Sequence, residues 1–334
     1  MRVLVFNPAF IGDAVLTTPL ANTLTKLKEK PEVFLCVRPE AAPLFKELPF
    51  KILVFDKRGV DGGLLGIFRF ASKLRKMKFD IVYSPHRSIR SAIVLSLAKI
   101  PLRVGFSSSA GSFLYTHLVK RDMSLHEAAR NLSLLPKEAE AIISEDALTY
   151  LDVEYKRELE NSLSGEGPIA ALSAGSVWET KRWPAIYFAQ VAKLLAAKGF
   201  RIAIFGGPGD KAVNSILEQQ LTNDGVAYYN FADTIPFEKF PTAIGAMDLL
   251  ISNDSAPVHI AESRNTPVIA IFGPTTPSFG FAPRNARSAV CEIHGLSCRP
   301  CAIHGGRRCP KGHFRCMKEL LPETVFEKAL ELFQ

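Results

Sequence analysis

The stretch LLISNDSAPVHIAESRNTPVIAIF, residues 249–272, contains the pattern that decides the fold. Two short apolar runs, 249–252 and 268–272, are typical of buried strands, and the segment 257–263 between them predicts a helix. Strands joined through a helix run parallel, because a parallel pair needs a crossover connection. The stretch therefore predicts a parallel sheet that is covered by helices.

The same alternation of strands and helices fills two passages of the chain on either side of a less regular region. The other predicted strands are 3–6, 33–37, 52–55, 81–83, 103–106, 169–172, 201–205 and 228–231. The other predicted helices are 14–28, 41–48, 64–77, 89–98, 185–197, 211–221, 237–246 and 322–333. Residues 107–166 predict an irregular loop followed by helical material. Because Ser162–Pro168 is rich in Gly, Ser and Pro, it predicts a domain boundary.

We therefore expect an α/β protein with two Rossmann-like domains, 1–164 and 165–334, whose parallel sheets face each other across a cleft. The chain of 334 residues, 47% of them hydrophobic, has enough apolar material for two cores. Its longest apolar runs are far shorter than the roughly 20 residues of a membrane-spanning helix.

Composition also limits the location and the partners of the protein. Asn7, Pro8 and Asp13 interrupt the apolar N-terminal run, so we interpret it as a strand and its loop, not as a secretory signal. We therefore expect a cytoplasmic protein. The net charge of +8 indicates nucleic acid, anionic lipid or a phosphorylated substrate as partner, with a solvated basic face as the alternative.

The loop from Asn7 to Asp13 joins the first predicted strand to the first helix. In open parallel sheets, ligands bind beyond the carboxyl ends of the strands, where this loop lies. Gly12 allows the backbone to approach a ligand, and Asp13 either acts on that ligand or caps the helix. The loop lacks the glycines of a GxGxxG dinucleotide fingerprint, which disfavours a nicotinamide dehydrogenase.

Three loops of the second domain also follow predicted strands. The loop 173–184 carries Lys181 and Arg182, whose charges can hold a diphosphate. The loop 205–210, FGGPGD, is a second strand-to-helix turn on the same side. The loop 252–259 leads into a helix whose N-terminus can bind an anion through its backbone N–H groups.

Two alternatives remain open at this third loop. Asp254 or Ser255 can cap the helix instead of contacting a ligand. His259, as a single histidine near the first turn, can equally be a packed or solvated side chain. Three loops that converge at one end of a sheet nevertheless indicate a phosphate-binding site.

These segments together resemble glycosyltransferase family 9, the lipopolysaccharide heptosyltransferases, over nearly the whole chain. The matching segments are NPAFIGDAVLTTPL (7–20), LSAGSVWETKRWP (172–184), FGGPGD (205–210), SNDSAPVHIAE (252–262) and PVIAIFGPT (267–275). The N-terminal loop is more similar to heptosyltransferase II than to heptosyltransferase I. The resemblance implies the GT-B fold, an ADP-heptose donor, and an acceptor in the inner core on lipid A.

The resemblance also implies roles for particular residues. Asp13 corresponds to the catalytic base of an inverting transfer, and Asn7 and Gly12 lie in the loop on the acceptor side. The donor contacts correspond to Ser176, Lys181, Asp254, Ser255, Ala256 and His259. Asp210 corresponds only loosely to the family pattern. The N-terminal domain is expected to bind the acceptor and the C-terminal domain the nucleotide sugar.

The chain contains no Asp-x-Asp motif, so we predict transfer without a metal ion and without a cofactor. The positive net charge can attract the phosphorylated acceptor. We also expect peripheral contact with the anionic inner membrane from the cytoplasmic side. Nucleic acid is not expected as a partner. Another sugar or acceptor within the same family is the alternative function.

A cysteine-rich segment near the C-terminus supports a competing hypothesis. Its cysteines are Cys298, Cys301, Cys309 and Cys316, with His304 and His313 between them. They can form a zinc site, a disulfide, or a set of reduced thiols. Because the segment is also basic, a zinc or nucleic-acid-binding module is an alternative class, and a nucleotide-sugar epimerase is a third. We interpret Cys36 and Cys291 as packing residues.

Overall fold

The computed structural model describes residues 1–137, 139 and 151–333. The chain divides into two compact units, Met1–Tyr150 and Leu151–Gln334. Each unit contains one six-stranded sheet in which all neighbouring strands are parallel. The α/β class and the two parallel sheets are confirmed.

The first unit contains strands β1 to β6 and helices α1 to α5. Its strands are β1 (Arg2–Phe6), β2 (Glu32–Val37), β3 (Lys51–Val54), β4 (Ile81–Ser84), β5 (Leu102–Phe106) and β6 (His117–Val119). Its helices are α1 (Ile11–Val15), α2 (Thr18–Thr25), α3 (Gly63–Met77), α4 (Ile89–Leu97) and α5 (Glu127–Leu132). The order of the strands in the sheet is β3-β2-β1-β4-β5-β6.

The second unit repeats this arrangement. Its strands are β7 (Ile169–Ser173), β8 (Arg201–Ile204), β9 (Tyr228–Asn230), β10 (Leu249–Asn253), β11 (Val268–Phe272) and β12 (Ala289–Glu292). Its helices are α6 (Val153–Ser162), α7 (Ala185–Ala196), α8 (Lys211–Asn223), α9 (Phe240–Gly245), α10 (Ala256–Ser263), α11 (Arg315–Lys318) and α12 (Pro322–Glu331). The order in the sheet is β12-β11-β10-β7-β8-β9.

Both sheets therefore have the strand order of a Rossmann fold, in which the order reverses beside the first strand. The reversal lies between β1 and β4 in the first unit and between β7 and β10 in the second. Adjacent loops diverge at such a point and leave a crevice at the carboxyl ends of the strands, where ligands bind. The topology thus places one candidate site in each unit.

Apolar side chains on both faces of each sheet hold the helices in place. In the first unit, Phe55 packs against Phe6 and Phe70, with ring centroids 5.8 and 4.6 Å apart. In the second, the fully buried Trp183 packs edge-on against Phe188 at 5.0 Å. Among the described residues, no helix combines the length and the apolar composition needed to cross a bilayer.

Three predicted helices differ from the structure. One of them, 237–246, is a 3₁₀ turn, Phe237–Lys239, followed by α9. Proline is the reason for the other two differences. The predicted helix 14–28 is two helices, α1 and α2, because Pro19 has no N–H for the carbonyl of Val15. The hydroxyl of Thr18 donates to that carbonyl instead, at 2.7 Å. The predicted helix 41–48 is a 3₁₀ turn, Ala42–Phe45, which contains Pro43.

The division between the units falls before the predicted boundary at 164/165. Helix α6 belongs to the second unit, where it packs on α9. Asp152 caps α6 by accepting from the Tyr155 N–H at 3.0 Å, and its backbone N–H donates to Thr242. Asp152 also forms an ion pair with Lys239. These contacts attach the helix to the unit that follows it in the chain.

Candidate active site

The buried side-chain amide of Asn7 holds the loop after β1 in place. Asn7 is buried, and its side-chain amide donates to Thr17 Oγ1 at 2.5 Å and to the Asp13 carbonyl at 3.3 Å. Thr17 in turn donates to the Asp13 carbonyl at 2.8 Å. Asn7, predicted in the acceptor-side loop, therefore holds the backbone that carries Asp13.

Asp13 lies in the first turn of α1 and is half-buried. The residue at the N-cap position is Phe10, so the interpretation of Asp13 as the cap is wrong. Gly12 is the second residue of this helix and not a turn residue. The Asp13 carboxylate is left in a position to interact with the charged groups of neighbouring loops.

Three basic side chains, Arg38, Lys57 and Arg90, lie beside this loop, and the sequence prediction missed them. The Lys57 ammonium donates to the Pro8 carbonyl at 3.0 Å, and the Arg90 guanidinium donates to the Lys57 carbonyl at 3.0 Å. Burial, with the charges of Arg38, Arg58 and Arg90, lowers the pKa of Lys57, while the Asp13 carboxylate acts in the opposite direction. An acidic side chain and several cations thus meet at the crevice of the first unit.

His86 follows β4 on the other side of this crevice. Its Nδ1 lies 2.6 Å from Ser91 Oγ. Burial and the charges of Lys57, Arg87 and Arg38 lower the pKa of His86 to about 3. The ring is therefore neutral near pH 7, and it exchanges hydrogen bonds without adding charge. Arg38 directly follows β2, and His86 lies two residues after β4. Polar residues at the carboxyl ends of these strands were the signal in the sequence that would have located both.

In the second unit, Lys181 and Asp254 meet at the carboxyl ends of β7 and β10. Lys181 Nζ lies 2.6 Å from Asp254 Oδ2, and Thr275 Oγ1 donates to the same oxygen at 2.7 Å. All three side chains are largely buried. The structure thus brings together two of the predicted donor residues and adds Thr275, the last residue of the matching segment 267–275, to which the sequence analysis assigned no role.

Asn253 fixes the loop that carries Lys181. It is fully buried at the end of β10, accepts from the Trp183 N–H at 3.0 Å and donates to the Ala174 carbonyl at 2.8 Å. The indole of Trp183 donates to the Leu320 carbonyl at 3.0 Å. One amide therefore holds both ends of the loop after β7 against β10.

The helix α10 begins beside this pair with backbone N–H groups that its cap side chain does not occupy. Ser255 is the N-cap residue, but its hydroxyl donates back to the Asn253 carbonyl at 3.2 Å and makes no cap hydrogen bond. Ala256 is the first helical residue, and Pro257 has no N–H. The helix dipole and the Ala256 N–H can attract an anion two residues after Asp254.

His259 lies in α10 and its side chain is packed in the interior, as the interpretation of a packed histidine proposed. It is buried, its ring centroid lies 6.2 Å from that of Phe281, and its Nδ1 has no hydrogen-bond partner among the described residues. Burial lowers the pKa of His259, so the ring is neutral near pH 7. His259 can therefore offer a hydrogen bond to a ligand but no positive charge.

The other predicted residues of this unit have local roles. Ser176 is buried, and its hydroxyl accepts from the Trp178 N–H at 3.3 Å. Asp210 accepts from the Gly207 N–H at 3.1 Å within its own turn. A Cβ on Gly175 would lie 2.1 Å from the Asp210 carboxyl carbon, so only glycine allows the two loops to approach so closely. The Asp210 side chain therefore packs against Gly175 in the loop after β7.

The cysteine-rich segment packs against the same loop. The Gly306 N–H donates to Thr180 Oγ1 at 2.7 Å, and the Thr180 N–H donates to the Gly306 carbonyl at 3.0 Å. Cys301, Cys309 and Cys316 line one cavity together with Thr180. All six cysteines are unpaired thiols, and within the described ranges no three His, Cys, Asp or Glu side chains are placed to hold one metal ion. The cysteine-rich segment thus holds Thr180, the residue before Lys181, in place.

Cys36 and Cys291 are buried in the two cores. Burial raises the pKa of both thiols, to about 12 for Cys291. These two side chains are therefore protonated packing residues, as the sequence predicted.

Each of the two Rossmann-like units thus carries charged side chains at the carboxyl ends of its strands. The profile of glycosyltransferase family 9 (heptosyltransferase) matches residues 67–309. The chain belongs to this family, and the prediction made from its sequence segments is confirmed. The protein is thus a glycosyltransferase.

The relatives cover the whole chain. Lipooligosaccharide heptosyltransferase 2 of Campylobacter jejuni is 26% identical over 345 residues, which span 100% of this chain and 99% of that protein. The family 9 glycosyltransferase of Veillonella parvula has a TM-score of 0.82 at 23% identity, covering 99% of this chain and 96% of that one. E. coli ADP-heptose LPS heptosyltransferase II has a TM-score of 0.78 at 22% identity, covering 99% and 98%.

Proposed function

We propose that this protein transfers a heptose from ADP-heptose to the inner core of lipopolysaccharide with inversion at the anomeric carbon, as heptosyltransferase II does. The observation that carries the proposal is the anion site at the crevice of the second unit. There, Lys181 is oriented by Asp254 beside the open N-terminus of α10. A related protein whose name specifies ADP-heptose and lipopolysaccharide shares this fold.

The donor diphosphate fits this anion site by charge and by geometry. Lys181 has two N–H donors left after its bond to Asp254, and the Ala256 N–H adds a third from the backbone. Negative charge grows on the β-phosphate as the bond from the anomeric carbon to its oxygen breaks. Fixed donors in a buried site stabilise such charge strongly, because they need no reorganisation. Ser176, Ser255 and His259 complete the proposed donor pocket.

The acceptor fits the crevice of the first unit. Asp13 removes the proton from the acceptor hydroxyl while the oxygen attacks the anomeric carbon, a general-base role that contributes roughly 10²–10⁴ in rate. Lys57, Arg38 and Arg90 neutralise acidic groups of a phosphorylated acceptor. Met1–Tyr150 is therefore the proposed acceptor unit, and Leu151–Gln334 the donor unit.

The step balances with these groups alone. The bond from the acceptor oxygen to the anomeric carbon forms as the bond from that carbon to the β-phosphate oxygen breaks. The acceptor proton passes to Asp13, ADP departs, and the negative charge that develops on its β-phosphate is stabilised by Lys181. We place the protein on the cytoplasmic side of the inner membrane, in peripheral contact with the lipid that anchors the acceptor.

The Asp13→Asn substitution tests the assignment of the base. We expect kcat for ADP release to fall by roughly 10²-fold or more, because the amide cannot accept the proton. The KM for ADP-heptose stays close to the wild-type value, since the donor contacts lie in the other unit. The assay follows ADP release and the mass of the glycolipid with a truncated lipopolysaccharide acceptor.

Asp224→Asn is the matched control, because Asp224 is an acidic residue of the second unit that is paired with Lys193 at the surface. It is expected to leave kcat unchanged. Near-normal turnover by Asp13→Asn would show that another group takes the proton. Turnover with a different nucleotide sugar in place of ADP-heptose would keep the family and replace the donor.

A further inference from the structure

Helix α3 carries apolar side chains on the face that points away from the core. Its inward face buries Ile67, Phe70 and Leu74 against the sheet, as an amphipathic helix should. On the outward face of its first two turns, however, Leu64, Leu65 and Phe68 are 75, 86 and 57% exposed. Val60, in the loop just before the helix, is 71% exposed. Four large apolar side chains within nine residues form an unusual surface for a protein in water.

The loop that presents Val60 is held rigidly. Asp56 accepts from the backbone N–H groups of Arg58, Gly59 and Val60 at 3.3, 2.8 and 3.3 Å. The Asp56 N–H donates to Asp61 Oδ2 at 3.0 Å. These hydrogen bonds fix the backbone of the loop, and the Val60 side chain points into solvent from this fixed turn.

Positive charge surrounds this apolar surface. Between residues 57 and 78 the chain has seven lysines and arginines against one aspartate, a net charge of +6 out of +8 for the whole protein. Arg58, Arg69, Lys73, Lys76 and Lys78 are exposed. An apolar strip bordered by cations matches the surface of an anionic bilayer, where acyl chains lie under acidic headgroups.

We propose that Val60, Leu64, Leu65 and Phe68, with the lysines and arginines of residues 57–78, form a docking surface for an anionic phospholipid bilayer. The choice of a bilayer rests on the proposed function, whose acceptor is anchored in lipid. The apolar side chains enter the acyl region while the basic side chains contact the headgroups. This surface is called the α3 docking surface below.

The α3 docking surface is tied directly to the loop of Asp13. Lys57, which begins the 57–78 segment, donates to the Pro8 carbonyl, and Arg90 donates to the Lys57 carbonyl. A bilayer bound to the α3 docking surface therefore lies next to the acceptor crevice of the same unit. The surface orients the enzyme so that a sugar chain rising from the membrane meets Asp13.

The test uses the full-length protein and sedimentation with phosphatidylcholine vesicles, with or without phosphatidylglycerol. We expect the wild-type protein to bind the vesicles that contain phosphatidylglycerol and to dissociate as salt is raised. The double variant Leu64→Gln/Leu65→Gln should partition at least about tenfold more weakly, because two exposed leucines no longer enter the acyl region. Glutamine keeps the helix, and neither leucine contributes to the core.

The matched control is Val153→Gln/Ile216→Gln, which removes two exposed aliphatic side chains from helices of the second unit. It is expected to bind vesicles as the wild type does. A second readout compares turnover with an acceptor in vesicles and with a de-acylated, water-soluble acceptor. Leu64→Gln/Leu65→Gln should lower only the first.

Three outcomes overturn the proposal. They are wild-type protein that does not bind vesicles containing phosphatidylglycerol, equal binding by Leu64→Gln/Leu65→Gln, and a wild-type dimer that this variant converts to a monomer. The last would mean that a second copy covers the surface. Vesicle binding that depends on Leu64 and Leu65 without any heptose transfer would leave the docking surface in place and refute the proposed function.

Discussion

Lys181 and Asp254 form an ion pair that is almost closed to solvent. Their side chains are 13% and 8% exposed, and Nζ lies 2.6 Å from Oδ2. Taking two charges out of water costs several kcal/mol per ion, and an apolar pair of similar size often stabilises a fold equally well. A role in ligand binding accounts for this desolvation cost: the lysine binds an anionic ligand, and the aspartate keeps the lysine in position.

Two variants of this pair separate folding from binding. Lys181→Met should lower the free energy of unfolding by about 3 kcal/mol, because it leaves a buried carboxylate without its cation. Lys181→Met/Asp254→Asn should return to within about 1 kcal/mol of the wild type, since no unpaired charge remains. Both variants should bind ADP-heptose at least about tenfold more weakly, since both lack the cation. Urea denaturation and calorimetric titration give the two quantities.

The double variant decides what Lys181 does. If it recovers stability and also binds the donor as tightly as the wild type, the lysine only balances Asp254. Thr275→Val is the companion control, because it removes the other donor to the same oxygen while Lys181 stays. It should cost stability and leave most of the donor affinity.

Single residues of the site were predictable where a motif names them. Asp13, Lys181 and Asp254 stand in such motifs, and the structure places each at a switch point of its sheet. Lys57 and Asn253 were not predictable, because their roles depend on contacts with residues distant in the sequence. Lys57 reaches Pro8 across 49 positions, and Asn253 reaches Ala174 across 79.

Strands buried on both faces were predicted more completely than strands at the edges of the sheets. Central strands such as β1 and β11 consist almost entirely of apolar residues, a pattern that is visible in the sequence. The edge strands β6 and β12 are short, partly exposed and flanked by irregular chain, so no pattern marked them. The sequence therefore predicted five strands per sheet where the structure has six.

Asn253 connects β10 to the loop after β7, and its removal tests how that loop is held. Asn253→Ala leaves the Trp183 N–H and the Ala174 carbonyl buried without partners. We expect the free energy of unfolding to fall by about 3 kcal/mol, since each unsatisfied group costs roughly 1–3 kcal/mol. Affinity for ADP-heptose should fall as well, because Lys181 moves with the loop. Urea denaturation and calorimetric titration measure both effects.

Asn214→Ala is the matched control for this prediction. Asn214 is also buried in the second unit, but neither atom of its amide has a hydrogen-bond partner among the described residues. Its removal should change stability by less than about 1 kcal/mol and leave donor binding unchanged. Equal losses in the two variants would mean that burial of the asparagine matters and its hydrogen bonds do not.

The two units share one strand order, and this symmetry made the class of the whole molecule predictable. Each unit repeats the alternation of buried strand and amphipathic helix, so the number of sheets and their parallel direction followed from the pattern. The position of the boundary between the two units did not follow from the pattern. Gly165 and Gly167 mark a turn between α6 and β7, both with positive φ, and a turn within a unit has the same composition as a linker between units.

The position of the boundary gives a prediction for the separated second unit. Helix α6 buries Leu159, the residue after it, Leu163, is also buried, and Asp152 pairs with Lys239 on the neighbouring 3₁₀ turn. A fragment of residues 151–334 should therefore be more stable than one of residues 165–334, by about 3 kcal/mol from the two leucines alone. Urea denaturation of the two fragments, followed by circular dichroism, measures the difference.

Substitutions within the longer fragment show whether α6 is the cause. Leu159→Ala should remove most of the difference, because the cavity it leaves costs about 2–5 kcal/mol, whereas Glu158→Ala on the exposed face should remove almost none. Equal stability of the two fragments would return the boundary to 164/165 and make α6 a linker. A stable longer fragment that still binds ADP would also show that the donor site needs no residue of Met1–Tyr150, as the contacts of Lys181, Asp254 and Ala256 within the second unit imply.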